Sequence, residues 1–157
     1  GTPSKVLPPS IRLSYLVLPT LLYTDFHRHR HAYGQSAGVL EQLAWAMYME
    51  AGEWNKQIRR LRKHYLEKSK YFTQLLRQYL GASYEVIAPE GGVYAGLRKV
   101  HIDGAQCKQL ALGAGCDVIV VDTDDTNTVE ILLSFSGIPT RELERAVQVL
   151  AKAWKGL

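Results

Sequence analysis

The chain is poor in cysteine and has no long hydrophobic run, and each scarcity excludes a class of protein. Its 157 residues include two cysteines, too few for the disulfide framework of a small secreted domain. We therefore expect Cys107 and Cys116 to be small core residues in a reducing compartment. No apolar stretch approaches the roughly 20 residues that a membrane-spanning helix needs. The first residues, with Pro3, Pro8 and Pro9, do not have the pattern of a secretory signal. Composition predicts a cytoplasmic globular protein that does not enter a membrane.

Positive charge is concentrated in one short run. The formal net charge is +4, and residues 56–70 (KQIRRLRKHYLEKSK) hold seven lysines and arginines against one acid, Glu67. A basic helix can neutralise phosphates, but no helix-turn-helix pattern, zinc-ligand spacing or aromatic platform lies beside this run. We interpret it as a solvated helix face and keep a nucleic-acid-binding α/β module as an alternative.

Hydrophobic periodicity divides the chain into a mostly helical first half and a second half of strands and helices. The predicted elements are a strand (12–18), helices (19–29, 37–52, 54–80), strands (83–88, 91–100), a helix (103–115), strands (116–122, 128–137) and a helix (140–154). Gly81 is the expected stop of the longest helix, and Asp103 and Thr140 are expected helix caps. This order predicts an α/β fold in which helices pack on one face of a small, mainly antiparallel sheet.

The opening segment, GTPSKVLPPSIRLSY, combines residue types that suit a phosphate ester carrying an aldehyde. Thr2 and Ser4 flank Lys5, and Arg12 follows the lysine by seven residues. Hydroxyl groups and an arginine fork bind a phosphate monoester, and a lysine held neutral by its surroundings attacks a carbonyl group. A lone loop lysine is ordinarily solvated, so it is this setting that makes Lys5 a candidate.

The stretch SKVLPPSIRLSYLVLP resembles the cofactor-lysine segment of fold-type I pyridoxal phosphate (PLP) enzymes, the aspartate-aminotransferase group. The resemblance implies that Lys5 carries the cofactor aldehyde and that Arg12 binds the cofactor phosphate. It also implies supporting phosphate contacts from Ser4 and Thr2. Ser14 stands where the family usually has glycine, a small departure that leaves these roles intact.

The rest of the chain resembles one branch of this family, the MocR-type regulators, in which a GntR-class winged-helix domain is fused to an aminotransferase-like domain. The similar stretches are LEQLAWAMYMEAGEWNKQIRRLRKHYLEKSKYFTQLL, PEGGVYAGLRKV and ILLSFSGIPTRELERAVQVLAKAW. The resemblance implies the C-terminal (small-domain) part of a longer protein whose other part completes the cofactor site. Within it, 1–18 is the cofactor-lysine segment and strand, 19–81 the helical part, and 82–157 the small-domain sheet and helices.

The resemblance implies a PLP-binding effector domain that senses an amine or amino acid through an external aldimine. DNA would be bound by an N-terminal domain outside this chain, and the parent protein would be a homodimer. Leu132 stands where aminotransferases of this group usually have the arginine that clamps a substrate carboxylate; Arg98 and Arg141 are the nearest candidates in sequence. This departure favours a regulator, with a genuine class I/II aminotransferase or related PLP enzyme as the alternative.

A histidine-rich stretch, FHRHRHAY, raises the question of a metal site. His27 and His31 are four residues apart, a spacing that places two ligands on one side of a helix. Asp25 is near, but no further residue at zinc spacing completes a ligand set. We interpret the stretch as an exposed polar helix end and predict no metal.

Overall fold

The computed structural model describes residues 1–3, 6–7, 11–32, 37–87, 92–121, 123 and 127–157. The chain divides into two compact units, Gly1–Arg60 and Leu61–Leu157, and each is described by itself. Among the described residues, no helix has the length and apolar character needed to cross a membrane.

The first unit consists of an N-terminal segment followed by helices. Helix α1 spans Thr20–His29, a short 3-10 turn follows at Arg30–Ala32, α2 spans Val39–Glu50, and α3 begins at Glu53. Neither α1 nor α2 contains a buried residue. Apolar side chains at helical spacing on α2 lie at the surface, with Leu40 exposed to 77%, Leu43 to 59% and Met47 to 69%. Exposed apolar side chains grouped in this way are typical of a contact face.

The strand predicted at Arg12–Leu18 is wrong, because residues 11–19 have no regular secondary structure. Tyr15 exchanges backbone hydrogen bonds with Gly1, at 2.7 and 2.9 Å. One exchanged pair is too short to make a strand ladder, and β-rich composition forms a strand only where a partner continues the ladder. Pro19 does stop the segment, since α1 begins at the next residue.

The second unit is built on a four-stranded sheet. Its elements are the end of α3 (which spans Glu53–Leu80), β1 (Glu85–Ile87), β2 (Tyr94–Val100), α4 (Gly104–Gly113), β3 (Ile119–Val121), β4 (Thr128–Ser134) and α5 (Leu143–Ala153). The strand order is β1-β2-β4-β3, and every neighbouring pair is antiparallel. The predicted fold class is therefore confirmed.

Side-chain alternation in β2 and β4 gives the sheet one helix-covered face. Ala95 and Leu97 of β2 and Ile131 and Leu133 of β4 are buried and belong to one core cluster with residues of α3, α4 and α5. Because successive strand side chains point to opposite faces, the residues between them form a second face, called here the open face. Tyr94 of this face is 40% exposed.

Two of the three predicted helix ends are confirmed. Gly81 has φ +68° directly after α3, the left-handed conformation that ends many helices. Asp103 caps α4, since its Oδ1 accepts hydrogen bonds from the Ala105 and Gln106 N–H groups at 2.8 and 3.4 Å. The Thr140 cap is wrong. Residues 140–142 form a 3-10 turn instead, and α5 begins at Leu143 without a side-chain cap.

The core of the second unit contains a stacked pair of aromatic rings. Tyr84 stacks on Trp154 with ring centroids 5.6 Å apart, and the Trp154 Nε1 group donates a 2.9 Å hydrogen bond to the carbonyl oxygen of Cys107. Cys107 is fully buried, and Cys116 is partly buried against the same cluster. This burial confirms them as core and near-core residues, and both thiols are free.

Candidate cofactor and effector site

The ends of the N-terminal segment are held side by side. The Thr2 hydroxyl donates a 2.8 Å hydrogen bond to the Leu13 carbonyl oxygen, next to the backbone pair between Gly1 and Tyr15. Thr2 and Arg12, two of the four predicted site residues, therefore lie at the same end of the segment, since Arg12 directly precedes Leu13.

The Pro3 carbonyl oxygen accepts two backbone hydrogen bonds. The N–H groups of Val6 and Leu7 both donate to the Pro3 carbonyl oxygen, at 2.9 and 3.0 Å. The other two predicted site residues, Ser4 and Lys5, lie outside the described residues, and their roles stay predictions.

The Arg12 side chain is available to bind a phosphate group. Its side chain is exposed, and it forms no salt bridge with any residue that the structure describes. The guanidinium fork can therefore bind an anion bidentately without first losing a carboxylate partner. The Thr2 hydroxyl proton, by contrast, is directed at the Leu13 carbonyl, so a phosphate would compete with that carbonyl for it. The residues described here fit a phosphate-bearing group chiefly through Arg12.

An apolar cavity of about 520 Å³ lies between this segment and α2. It is lined by Val6, Leu7, Ile11, Glu41, Ala44, Trp45, Tyr48 and Gln57. Trp45 packs edge-to-face on Trp54, with ring centroids 4.7 Å apart, and also contacts Tyr48. Sequence periodicity missed this cavity, because it describes each helix separately and does not show which segment packs beside it. The available signal was the spacing of Trp45, Tyr48 and Trp54.

The open face of the sheet places Leu132 in an apolar row. Register aligns Ile87, Gly96, Leu132 and Ile119 across the four strands. Ile119 is 51% exposed, Ile87 and Leu132 are partly exposed and Gly96 is buried, and none of the four belongs to the core cluster of the second unit.

The cations that sequence analysis named near Leu132 already have acidic partners. The Arg98 guanidinium lies 3.5 Å from a Glu85 carboxylate oxygen and 3.7 Å from one of Glu130, and Arg141 lies 3.6 Å from Glu142. In the described part of the open face, Leu132 therefore has no unpaired arginine beside it.

The end of β4 is fixed to α3 by a buried lysine. Lys68 Nζ donates a 3.0 Å hydrogen bond to the Ser136 carbonyl oxygen, and burial lowers the pKa of the Lys68 amine. The adjacent Phe135 ring packs on Phe72 of α3 at 5.1 Å. These contacts set the position of the strand that carries Leu132.

The histidine stretch is held by local contacts. Arg30 donates to His27 Nε2 at 3.1 Å, and His29 Nδ1 bonds to the Asp25 carbonyl oxygen at 2.8 Å. Within the described ranges, no group of three or more His, Cys, Asp or Glu side chains is placed to hold a metal ion. The His31 side chain is not among those described.

The fold of this chain occurs in solved aminotransferases. The multiple substrate aminotransferase of Thermococcus profundus superposes with a TM-score of 0.83 at 22% identity, over 99% of this chain and 40% of that one. LysN, the α-aminoadipate aminotransferase of Thermus thermophilus, complexed with N-(5'-phosphopyridoxyl)-L-leucine, superposes with a TM-score of 0.78 at 19% identity. The match covers 98% of this chain and 40% of LysN. The chain has the fold of the C-terminal part of an aminotransferase.

The chain is also similar in sequence to transcriptional regulators. The chain is 29% identical over 161 residues to each of two uncharacterized HTH-type transcriptional regulators of Bacillus subtilis (strain 168), YhdI and YdeL, matching 100% and 99% of its length. A third relative is the probable rhizopine catabolism regulatory protein MocR of Rhizobium meliloti, which is 35% identical to this chain over 80 residues. These residues make up 51% of this chain and 16% of MocR. No family model matches. The chain spans about a third (34%) of the two B. subtilis relatives. The chain therefore has an aminotransferase-like fold and is similar in sequence to HTH-type regulators and to part of MocR.

Proposed function

We propose that this chain is the effector-sensing segment of a bacterial MocR-type transcription regulator that binds PLP. The observation that carries this proposal is the similarity of the whole chain to HTH-type regulators, in a chain that folds like an aminotransferase. The longer protein would act on DNA in the cytoplasm, bind it through a domain outside this chain, and form a homodimer.

In this proposal Lys5 holds the cofactor and Arg12 binds its phosphate. When bound, PLP supplies an aldehyde that condenses reversibly with primary amines. Arg12 supports its assigned role because it is exposed and forms no salt bridge with a described residue. Ser4 adds a hydroxyl contact to the phosphate, and Thr2 adds one when its hydroxyl proton leaves the Leu13 carbonyl oxygen. Lys5 fulfils its role only where its amine is partly neutral, which burial beneath the rest of the protein would provide.

The sensed ligand is an amine or amino acid, and the open face of the sheet favours sensing over turnover. By the family resemblance, Leu132 occupies the position of the carboxylate-clamping arginine. Its cross-strand neighbours are Gly96 and Ile119, and Arg98 is paired with two glutamates. A carboxylate bound here would lack the bidentate arginine contact, which contributes roughly 1.5–3 kcal/mol when a charged group takes part. Ordinary α-amino-acid substrates would therefore bind weakly.

Regulation then follows from linkage between the two ligands. An amine that binds one arrangement of the protein better than another shifts the population toward it. The change in DNA affinity caused by the amine must equal the change in amine affinity caused by DNA.

The test is a measurement of DNA affinity by the longer protein, with PLP present, in the absence and presence of a panel of primary amines and amino acids. The proposal expects at least one compound to change the affinity, and expects Lys5→Ala to abolish that response while Lys108→Ala, an exposed lysine on α4, retains it. The enzyme alternative rests on the aminotransferase fold. Steady turnover of an amino donor with an α-keto acid, without any change in DNA binding, would establish the enzyme instead.

A further inference from the structure

Helix α3 carries a line of cations on the side away from the core of the second unit. Lys63, Lys70 and Arg77 are seven residues apart, and a spacing of seven rotates by only about 20° around an α-helix. We call these three residues the basic stripe. At about 1.5 Å per residue the stripe is about 21 Å long.

The basic stripe is exposed and electrostatically unsatisfied. All three side chains are exposed, whereas Phe72 and Leu76 on the other side of the helix are buried. No stripe residue forms a salt bridge with a residue that the structure describes. Glu67 is the single acid in this part of the helix, and it leaves the stripe with a net positive charge.

A long, regularly charged polyanion matches this surface better than a small anion does. The stripe lies along one convex helix, so it offers a row of separate point charges and no pocket. Double-stranded DNA presents one phosphate per about 3.4 Å of helix axis on each strand, so a length of about 21 Å along the axis holds about six phosphates per strand, more than three cations need as partners. Exposed lysines and an arginine contact such phosphates without a large desolvation cost, and they confer no base specificity.

We propose that the basic stripe of α3 is a second DNA contact of the regulator, which binds backbone phosphates while another domain reads sequence. This inference rests on the proposed regulatory function. It adds a contact on the aminotransferase-like segment itself, through which a ligand-dependent movement of this segment changes DNA affinity directly.

The test measures the salt dependence of DNA binding by the longer protein. Binding to a 40-base-pair duplex of mixed sequence is followed by fluorescence anisotropy between 50 and 300 mM NaCl, for the wild type and for the variant with Lys63→Gln, Lys70→Gln and Arg77→Gln. Each lost phosphate contact lowers the slope of log affinity against log salt by about 0.9. The expected result is a slope smaller by about 2 to 3.

A charge-matched control separates a local contact from a general loss of positive charge. Arg145→Gln, Lys152→Gln and Lys155→Gln remove three exposed cations at the other end of the second unit's sequence. The proposal requires this control to keep the wild-type slope, with unchanged thermal melts by circular dichroism for both variants.

Equal slopes for the two variants overturn the proposal. If an acidic protein segment covered the stripe instead, the stripe variant would have a lower melting temperature at low salt and the same slope as the control. Absence of DNA binding by the wild type even at 50 mM NaCl, where contacts to phosphates are strongest, contradicts the DNA-binding function on which this inference rests. The two failures are therefore distinguishable.

Discussion

The hydroxyl group of Tyr84 provides a quantitative test of the core of the second unit. Tyr84 is 6% exposed, and its buried hydroxyl oxygen has no hydrogen-bond partner among the residues that the structure describes. A polar group that loses water without gaining a partner costs about 1–3 kcal/mol. Replacing Tyr84 with Phe removes that cost and keeps the ring that stacks on Trp154 and lies 4.4 Å from Lys99 Nζ. We expect the free energy of unfolding to rise by about 1 kcal/mol at pH 8, at the lower end of that range.

The same hydroxyl makes stability depend on alkaline pH. Burial raises the pKa of Tyr84 from 10.0 to about 12. The unfolded chain therefore ionises Tyr84 first, and the free energy of unfolding falls as pH rises from 10 toward 12. At pH 11 the free energy of unfolding is lower by about 1.4 kcal/mol, which corresponds to one pKa unit. Tyr84→Phe lacks this loss, so its advantage over the wild type should grow from about 1 kcal/mol at pH 8 to about 2.4 kcal/mol at pH 11.

Urea unfolding followed by circular dichroism at pH 8, 9, 10 and 11 measures this difference. Tyr79→Phe is the matched control, because the Tyr79 hydroxyl donates to Glu144 at 2.6 Å and accepts from Gln148 at 2.9 Å. That variant should be less stable than the wild type at pH 8. A Tyr84→Phe advantage that stays constant from pH 8 to 11, or a variant less stable than the wild type at pH 8, would refute the reasoning.

Three further outcomes follow from the packing of α4 and α5. A Cβ atom at Gly104 would lie 2.8 Å from Val120 Cγ1, whereas one at Gly113 meets nothing within 4 Å. In urea titrations, Gly104→Ala should lower the free energy of unfolding by about 1–3 kcal/mol, and Gly113→Ala should leave it nearly unchanged. Burial raises the pKa of the Cys107 thiol, so iodoacetamide should label it at pH 8 only at the rate of unfolding; labelling as fast as in the urea-denatured chain would contradict its burial. Trp154→Phe removes the buried hydrogen bond to the Cys107 carbonyl and should cost at least about 1–3 kcal/mol; an unchanged urea midpoint would show that this bond is not formed.

Local signals predicted most of the elements of this chain. Gly81 and Asp103 marked helix ends correctly because each acts on backbone groups within a few residues. The strand at residues 12–18 failed because a strand needs hydrogen-bond partners, which β-propensity does not supply. The strand order β1-β2-β4-β3 depends on long-range pairing and had no local signal.

The candidate site, too, was only partly predictable from local sequence. Residue types alone nominated Lys5 and Arg12, and the departure at Leu132 was visible in sequence. That Arg98 is held between two glutamates follows only from the register of β1, β2 and β4. The cavity beside Trp45 also had to be seen in three dimensions, because helical periodicity does not distinguish an exposed stripe from a buried one.

The direct test of the PLP assignment is reductive trapping. The longer protein is incubated with PLP, reduced with borohydride, digested and mapped by mass spectrometry, in parallel with Arg12→Gln. The account predicts a phosphopyridoxyl group on Lys5, with occupancy at limiting PLP reduced about 10- to 100-fold in Arg12→Gln, the effect of losing a charge-assisted hydrogen bond. Labelling spread over many lysines, with no preference for Lys5 and no effect of Arg12→Gln, would contradict it.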